Sequence, residues 1–217
     1  MKDFFAWVHT CPLRDGSDLL KGTIDSVWAS DARDDFEVWR HPDGLTSPQI
    51  TSWWHERLLE SATRGEVIVR LEDDTDVSAH LKHNVLTWEA LKEPDFLCGT
   101  LFTWDFLPVQ KMCERNERGL PYLRVGLYGA QGLVFRADRM ALVVENIKKN
   151  SGRQMYHLDF DEVFFRAAYE LGMRVYVHEQ SLVNGLPGNE KSAVHNGIFH
   201  PAGFYSHATF DKHWKRP

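Results

Sequence analysis

Four carboxylates lie within five positions directly after a hydrophobic stretch of the chain. The stretch is VIVRLEDDTDVS, and its carboxylates are Glu72, Asp73, Asp74 and Asp76. Side chains at this spacing repel one another unless a cation neutralises them. Carboxylate oxygens are the ligands that Mg²⁺ and Mn²⁺ prefer, and these ions take substrate phosphates as further ligands. The cluster therefore predicts a divalent-cation site or, alternatively, a solvated turn in which Asp76 or Ser78 caps the next helix.

The spacing of the carboxylates selects two pairs that could share one ion. Residues at i and i+2 of a strand face the same side, which pairs Glu72 with Asp74 and Asp74 with Asp76. Asp74 belongs to both pairs. We therefore predict that Asp74 is the principal ligand and leave its partner open.

The first half of the chain alternates predicted strands with predicted helices. The strands are FFAWVHT, FEVWRHPDG and EVIVRLE, and the helices follow Asp18, Ser47 and Ser78 as caps. Such alternation is typical of an α/β fold with a mostly parallel sheet. Ligands of these sheets bind outside the carboxyl ends of the strands, which is where the acidic cluster lies.

The second half is less regular. We predict a strand in FLCGTLFTWDF, a mobile loop over residues 108–124, a strand and helix in GAQGLVFRADRMALVVENIKK, a helix in DEVFFRAAYELG and a strand in MRVYVHE. We expect residues 1–183 to form the catalytic domain. Residues 184–217 would be a C-terminal tail that completes the metal or acceptor site.

Composition excludes several classes of protein. The chain has 217 residues, is 43% hydrophobic and has a net charge of −6, so it is neither disordered nor a general polyanion-binding protein. Its three Cys lack the spacing of a metal site, which favours free thiols in a reducing compartment. Neither a signal peptide nor a membrane span is predicted, and we expect a cytoplasmic protein.

Four segments, in this order, resemble the glycosyltransferases of the GT-A fold. They are the opening FFAWVHTCPLR with FEVWRHPDG, the acidic VIVRLEDDTDVS, the Gly-rich YGAQGLVFRADRMALV, and DFDEVFFRAAYELGMRVYVHEQSLVNG. The LEDD form resembles the family of collagen and lipooligosaccharide galactosyltransferases. The resemblance implies a Rossmann-like fold with a mixed, mostly parallel sheet flanked by helices. It also implies an enzyme that moves a sugar from a nucleotide diphosphate, with UDP favoured, to a hydroxyl acceptor, with inversion favoured.

The resemblance assigns a metal site and a catalytic base. Asp74, with Glu72 or Asp76, would form the Asp-x-Asp motif that holds Mn²⁺ or Mg²⁺. A C-terminal His often adds a ligand in this fold, and His195 is the first candidate and His200 the second. Glu162 occupies the place of the acceptor's general base, beside Asp161. The alternatives are that the two histidines are surface residues, that an aspartate here only caps the helix, and that a retaining enzyme would not use Glu162 as a base.

The resemblance also places the substrates. The nucleotide would be bound by residues that follow the first three strands, namely Thr10, Arg14, Asp43 and Asp73. The donor sugar would contact Gly129, Gln131 and Gly132, and the acceptor would contact Trp104 and Asp105. Each glycine could instead serve an ordinary turn, Arg14 could be a surface ion pair, and Trp104 could be a core residue.

The sequence leaves alternatives open for the acceptor and for the class of reaction. The acceptor could be a glycan, or a hydroxymethylated base in phage DNA that the basic residues Lys111, Arg115, Arg118 and Arg124 would attract. One rival function is a metal-dependent nucleotidyltransferase or phosphohydrolase, which would need a Gly-rich loop after the first strand that CPLRDGSD does not match. The other is a non-catalytic nucleotide-sugar-binding module, against which the intact acidic cluster argues.

Overall fold

Three parallel strands separated by two helices form the first half of the chain. They are β1 (Lys2–Thr10), α1 (Asp18–Trp28), β2 (Phe36–Arg40), α2 (Ser47–Ser61) and β3 (Gly65–Glu72). The computed structural model describes residues 1–102, 113–124, 131–150, 160–186 and 210–217, without the side chains of residues 47, 48, 51, 150 and 160–163. β1 pairs with β2 and with β3 in parallel. The predicted alternation of strands and helices is confirmed.

Both helix starts lie within one residue of the predicted caps. Ser17, not Asp18, is the N-cap of α1, because its Oγ accepts a hydrogen bond from the backbone N–H of Leu20 at 3.2 Å. Thr46, not Ser47, is the N-cap of α2, where the Gln49 side chain accepts from the Thr46 backbone N–H at 2.9 Å. In each case the short polar residue one position earlier is the one that reaches the free N–H groups of the first turn.

The central sheet continues with strands from the second half of the chain. These are β5 (Phe96–Thr100), β6 (Cys113–Arg115), β7 (Pro121–Leu123), β8 (Gly132–Arg136) and β9 (Arg174–Val177). The order across the eight strands is β2-β1-β3-β8-β5-β9-β7-β6. β8 runs antiparallel between β3 and β5, and β7 is antiparallel to both of its neighbours, so the other six strands share one direction. The predicted mixed, mostly parallel sheet is confirmed.

A smaller sheet follows the acidic stretch. It pairs β4 (Thr75–Val77) antiparallel with β10 (Val183–Gly185), so that Asp76 lies opposite Asn184. The remaining helices are α3 (Leu81–Leu86), α4 (Ala137–Asn150) and α5 (Phe160–Glu170). This second sheet holds the beginning of the predicted tail against the acidic turn.

The single helix predicted after Ser78 is wrong, because the chain forms α3 and then a separate 3₁₀ turn at Glu89–Lys92. Between them Trp88 has an extended backbone and buries its ring, with only 4% exposed. The ring fills the space beside Gly99 of β5, where an added Cβ would lie 2.4 Å from it. Packing of Trp88 against the sheet therefore outweighs the helical periodicity of this segment.

Asp31, at the end of α1, provides the side-chain acceptor for the first turn of α3. Its two carboxylate oxygens accept hydrogen bonds from the backbone N–H groups of Lys82, at 2.8 Å, and His83, at 3.0 Å. The Ser78 hydroxyl accepts from the N–H of His80, at 3.3 Å, and from the Asn84 side chain, while Asp76 bonds elsewhere. The acidic cluster is therefore not explained by capping of the following helix.

The mobile loop predicted over residues 108–124 is wrong for its described part, because residues 113–124 contain the antiparallel hairpin β6–β7. Asn116 shapes the turn, since its Oδ1 accepts from the N–H groups of Arg118 and Leu120. Gly119 has a φ of +78°, which glycine adopts without strain. The Gly119–Pro121 segment thus ends the turn and begins β7.

Hydrophobic cores lie on both faces of the large sheet. α2, α4 and α5 cover one face around Trp7 and Ile68, and α1 and α3 cover the other around Phe4 and Val69. The three Cys are free thiols, as predicted. Within the described ranges, no helix has the length and apolar character needed to cross a bilayer.

Candidate functional site

The carboxyl ends of β1 and β3 meet at the acidic turn. Because the two strands are parallel neighbours, His9 lies opposite Glu72, and the next residues of each strand emerge at the same edge. Thr10 donates a hydrogen bond from its hydroxyl to Oδ2 of Asp73 at 2.8 Å. Arg14, in the 3₁₀ turn Pro12–Arg14 that follows β1, reaches the same turn. The structure thus brings Thr10, Arg14 and Asp73 together beside the acidic turn.

Each carboxylate of the cluster has a basic partner within the chain. Arg14 Nε lies 3.5 Å from Oδ1 of Asp73, and its Nη2 lies 3.6 Å from Oδ2 of Asp74. Arg70 Nη1 donates to Glu72 at 3.0 Å, and Lys212 Nζ lies 2.7 Å from Asp76. Four carboxylates therefore face three cations, so the chain itself relieves most of the repulsion and leaves one negative charge when all are ionised.

Asp74 carries the strongest electrostatic penalty in the cluster. Burial, followed by the charges of Glu72 and Asp73, raises its pKa to about 7. Its Oδ1 is buried and has no hydrogen-bond partner among the described residues. A buried carboxylate oxygen without a donor is costly unless a cation or a proton meets it.

Arg14 is incompletely paired beside it. Its side chain is 12% exposed, and its Nε–H is buried and makes no hydrogen bond to the described residues. The distances of 3.5 and 3.6 Å to Asp73 and Asp74 fall outside the range of strong charge-assisted hydrogen bonds. Two neighbouring side chains, Arg14 and Asp74, therefore have an unsatisfied donor and an unsatisfied acceptor respectively. A ligand with an anionic and a cationic part would satisfy both.

The elements that hold Asp76 differ from those that contact Asp74. Its Oδ1 accepts from the Ser26 hydroxyl of α1 at 2.5 Å and from Lys212 Nζ at 2.7 Å. Ser26 also accepts from the backbone N–H of Val77 at 2.8 Å. Asp76 thus joins α1, β4 and the C-terminal segment, while the carboxylates that raise the pKa of Asp74 most are those of Glu72 and Asp73.

Gln131 lies against the acidic turn. Its backbone carbonyl accepts from the N–H of Glu72 at 3.2 Å, and its side chain is 1% exposed. Its Oε1 has no hydrogen-bond partner in the described part of the chain. Gly132 begins β8, where an added Cβ would lie 3.0 Å from Val183, so close packing against β10 favours glycine there.

The remaining predicted residues divide into three groups. Asp43 is exposed and pairs with Arg40 at 3.0 Å, away from the carboxylates. Asp161 and Glu162 lie in the first turn of α5, with side chains that are not described. The last group lies outside the described residues: Trp104, Asp105, Gly129, His195 and His200. Among described residues, no group of three or more His, Cys, Asp or Glu side chains is arranged to hold a metal ion.

The chain around residues 187–209 begins and ends at the acidic turn. The backbone N–H of Leu186 donates to the carbonyl of Asp74 at 2.8 Å. After this segment, Lys212 bonds to Asp76 through its side chain and to the Ala79 N–H through its carbonyl, at 2.7 Å each. Asn84 secures the end of the chain by donating to the Trp214 carbonyl at 2.9 Å.

Sequence reasoning missed Arg70, His9 and His41. Arg70 is 2% exposed in the middle of β3, and its guanidinium lies 4.1 Å from the ring centroid of Trp54. Its Nη2 donates to His9 Nδ1 at 3.3 Å, and His9 Nε2 lies 3.1 Å from His41 Nδ1. A charged residue within the otherwise apolar VIVRLE was the signal available in the sequence, because such a residue needs a buried partner.

No protein-family model matches the chain, and no curated protein matches it. Several solved structures are similar to the chain. A glycosyltransferase involved in the glycosylation of the major capsid of PBCV-1 is 13% identical, with a TM-score of 0.50 over 85% of this chain and 93% of that one. The galactosyltransferase LgtC, in complex with donor and acceptor sugar analogues, is 10% identical, with a TM-score of 0.48 over 84% and 87%. A 4-diphosphocytidyl-2C-methyl-D-erythritol synthase from Anaerococcus prevotii is 14% identical, with a TM-score of 0.48 over 83% and 91%.

Because the sequence identities are this low, the similarity shows only a shared fold. This conclusion rests on the capsid glycosyltransferase, whose TM-score is 0.50. The mixed, mostly parallel sheet flanked by helices and the acidic turn after β3 agree with the GT-A arrangement expected from the sequence. The chain has a GT-A-type glycosyltransferase fold.

Proposed function

We propose that this GT-A-type chain is a metal-dependent glycosyltransferase that moves a sugar from a UDP-sugar to a hydroxyl acceptor with inversion. One observation carries the proposal. The buried Asp74 Oδ1 and the buried Arg14 Nε–H have no hydrogen-bond partners among the described residues, and their two side chains approach to 3.6 Å at the carboxyl edge of a parallel sheet. A divalent cation with a diphosphate has the two charges that would satisfy this acceptor and this donor.

The carboxylate oxygens of the acidic turn are chemically suited to bind a divalent cation. Asp74 would be the principal ligand, since its Oδ1 is buried and without a partner in the described structure. Glu72 and Asp76 remain candidates for the second ligand. Glu72 is the better placed, because its charge acts directly on Asp74, whereas Asp76 already bonds to Ser26 and Lys212. When bound, Mn²⁺ or Mg²⁺ would offset the negative charge of the departing diphosphate.

His195 is the proposed third protein ligand. The observation in its favour is that the chain departs at Leu186, bonded to the carbonyl of Asp74, and is next described close to Lys212, bonded to Asp76. The described residues on either side of His195 in the chain therefore both contact the acidic turn.

The nucleotide would lie along the ends of the first strands. Arg14 would donate to the diphosphate, where positive charge stabilises the leaving group as the glycosidic bond breaks. Thr10 would hold Asp73 through the 2.8 Å hydrogen bond, and the two would border the nucleotide together with Asp43. Gln131, with its buried and unpartnered Oε1, would bond the donor sugar beside Gly129 and Gly132.

The acceptor would be activated from the start of α5. Glu162 would take the proton of the attacking hydroxyl as general base, and Asp161 would assist or cap the helix. Trp104 and Asp105 would contact the acceptor. A glycan is favoured over DNA as the acceptor, because Arg118 pairs with Glu89 and Glu93 and Arg115 pairs with Glu179. Two of the four cations that suggested nucleic acid are thus already neutralised.

A thermal-shift screen tests the proposal. Mn²⁺ with UDP-, GDP- and TDP-linked sugars should raise the melting temperature only when metal and a nucleotide sugar are both present, with the UDP-sugars strongest. Arg33→Ala, an exposed arginine paired only with its neighbour Asp34 among the described residues, serves as the matched control for Arg14→Ala. No shift with any nucleotide sugar on folded protein would refute the donor assignment, and release of pyrophosphate from a nucleoside triphosphate would favour a nucleotidyltransferase instead.

A further inference from the structure

Four polar side chains form one hydrogen-bonded chain behind the acidic turn. From the end of β2 inward, His41 Nδ1 lies 3.1 Å from His9 Nε2, and His9 Nδ1 lies 3.3 Å from Arg70 Nη2. Arg70 Nη1 then donates to Glu72 Oε1 at 3.0 Å. The chain crosses the ends of three neighbouring strands and terminates on a carboxylate of the candidate site.

Chemistry sets the direction of every bond in this chain. An arginine side chain has only donors, so the Nδ1 atom of His9 must accept. His9 then carries its proton on Nε2 and donates to His41 Nδ1, which must accept in turn. The arrangement therefore exists only when both imidazoles are neutral, with both protons on Nε2.

The surroundings hold the chain rigidly. The Arg70 guanidinium stacks on Trp54 at 4.1 Å, and the His9 ring lies 4.3 Å from Trp54 and 5.5 Å from Trp53. A planar guanidinium bonded to His9 through one nitrogen and to Glu72 through the other has its plane determined by both partners. A change at His9 therefore alters the orientation of the Arg70 guanidinium, and with it the direction of the hydrogen bond that holds Glu72.

We propose that His9 and His41 are positioning residues that act through Arg70 to hold Glu72 in the orientation the acidic turn needs to bind its ligand. The inference rests on the proposed function insofar as that ligand is a metal with a nucleotide diphosphate. Arg70 is a positioning residue as well, since it bonds to Glu72 and lies behind the carboxylates.

Charged neighbours from each packed element support the neutral state. Arg70 of β3 faces His9, and the described side chains of α2 that contact it are the rings of Trp53 and Trp54. The pKa of His9 is lowered well below its ordinary value by burial, then by Arg70 and His41. The pKa of His41 is lowered by burial and by Arg40, against the opposing charge of Asp43.

The lowered pKa values of His9 and His41 determine how their contribution to stability depends on pH. A histidine whose pKa is depressed in the folded protein contributes its stabilisation fully above about pH 6.5, and the contribution is lost as the pH falls through the lowered value. Protonation of either ring places an N–H against another N–H and breaks the chain. Glu72 is then held less well at acid pH.

Nitrogen-detected NMR of ¹⁵N-histidine-labelled protein tests the chain without any ligand. At pH 7.5, His9 and His41 should both show the neutral Nε2–H tautomer. A protonated Nδ1 on either ring at this pH would overturn the inference. Because no substrate is involved, this result does not depend on whether the proposed function is correct.

Titration calorimetry with UDP and MnCl₂ tests the positioning role. His41→Phe keeps a ring but removes the acceptor, and should weaken binding about tenfold at pH 7.5, the value of one lost hydrogen bond. His41→Asn offers a non-titrating acceptor in the place of Nδ1, so it should restore binding at pH 7.5. His213→Asn, at an exposed position, is the control and should bind as the wild type does.

Two results would overturn the positioning role. One is equal affinity of His41→Phe and the wild type, with both variants shown to be folded by their unfolding transitions. The other is a wild type that binds no UDP with Mn²⁺, which refutes the proposed ligand and the positioning role together, while the tautomer spectrum still decides whether the chain of hydrogen bonds exists.

Discussion

The hydroxyl of Thr10, the last residue of β1, donates a 2.8 Å hydrogen bond to Asp73, the first residue after β3. This bond joins the two strand ends from which the candidate site is built. It also turns Asp73 toward β1 and Arg14, which leaves Asp74 with a buried, unpartnered oxygen among the described residues. The unequal roles of four adjacent carboxylates follow from this arrangement.

Protons should compete with the metal at Asp74. Its pKa is raised to about 7, so the folded metal-free protein binds a proton that the unfolded chain does not hold between about pH 4 and 7. Stability of the metal-free protein should therefore fall as the pH rises through 7, and Mn²⁺ affinity should fall as the pH drops below 7. Unfolding curves and Mn²⁺ titrations at pH 5.5, 7 and 8.5 check both slopes, and Asp74→Asn should abolish them.

Glu72→Gln and Asp76→Asn should separate metal binding from stability. Asp76→Asn removes a charge held by Ser26 and Lys212, and should cost about 1–3 kcal/mol of unfolding free energy while Mn²⁺ affinity changes little. Glu72→Gln should weaken Mn²⁺ binding at least tenfold. Mn²⁺ titration and urea unfolding of both variants provide the measurement. Loss of Mn²⁺ binding in Asp76→Asn alone would instead identify Asp76 as the second ligand.

Arg14→Ala should weaken UDP binding by about 10- to 100-fold, because a charge-assisted contact to the diphosphate is lost. The variant should also raise the pKa of Asp74 further, since Arg14 is one of the charges that lower it. Arg33→Ala should leave both properties unchanged. Unaltered UDP affinity in Arg14→Ala would show that the arginine only neutralises Asp73 and Asp74.

Much of the fold could be predicted from the sequence. Where an element was predicted wrongly, the reason is a physical one. Strands β1 to β3 and their helices could be predicted, because apolar runs and polar caps mark them locally. Trp88 breaks the next helix by packing against Gly99, a contact between residues distant in sequence. The β6–β7 hairpin escaped prediction because the side chain of Asn116, not an apolar pattern, shapes its turn.

The candidate site shows the same division. Glu72 to Asp76 could be recognised because their oxygens are adjacent in the chain. The partners that neutralise them come from elsewhere: Lys212 lies 136 positions from Asp76, and its pairing depends on how the C-terminal segment packs on α3. The apposition of His9 and His41 depends on the register of β1 and β2, which spacing alone does not reveal.

Glu162→Gln should abolish turnover without abolishing donor binding. Removal of a general base typically lowers the rate by about 10² to 10⁴ while leaving substrate contacts intact. Asp161→Asn is the matched control on the same helix turn and should lower turnover less than tenfold. Turnover of a UDP-sugar and its dissociation constant, measured for both variants, check this, and an active Glu162→Gln would contradict the inverting mechanism.

The most direct test of the metal and donor site is the anomalous scattering of manganese in crystals soaked with UDP-glucose and Mn²⁺. The account predicts one strong peak within bonding distance of Asp74 Oδ1, with the diphosphate between that peak and Arg14. In Asp74→Asn crystals the peak should vanish. Nucleotide density at the ends of β1 and β2 without manganese beside Asp74, or manganese bound elsewhere, would contradict the claim.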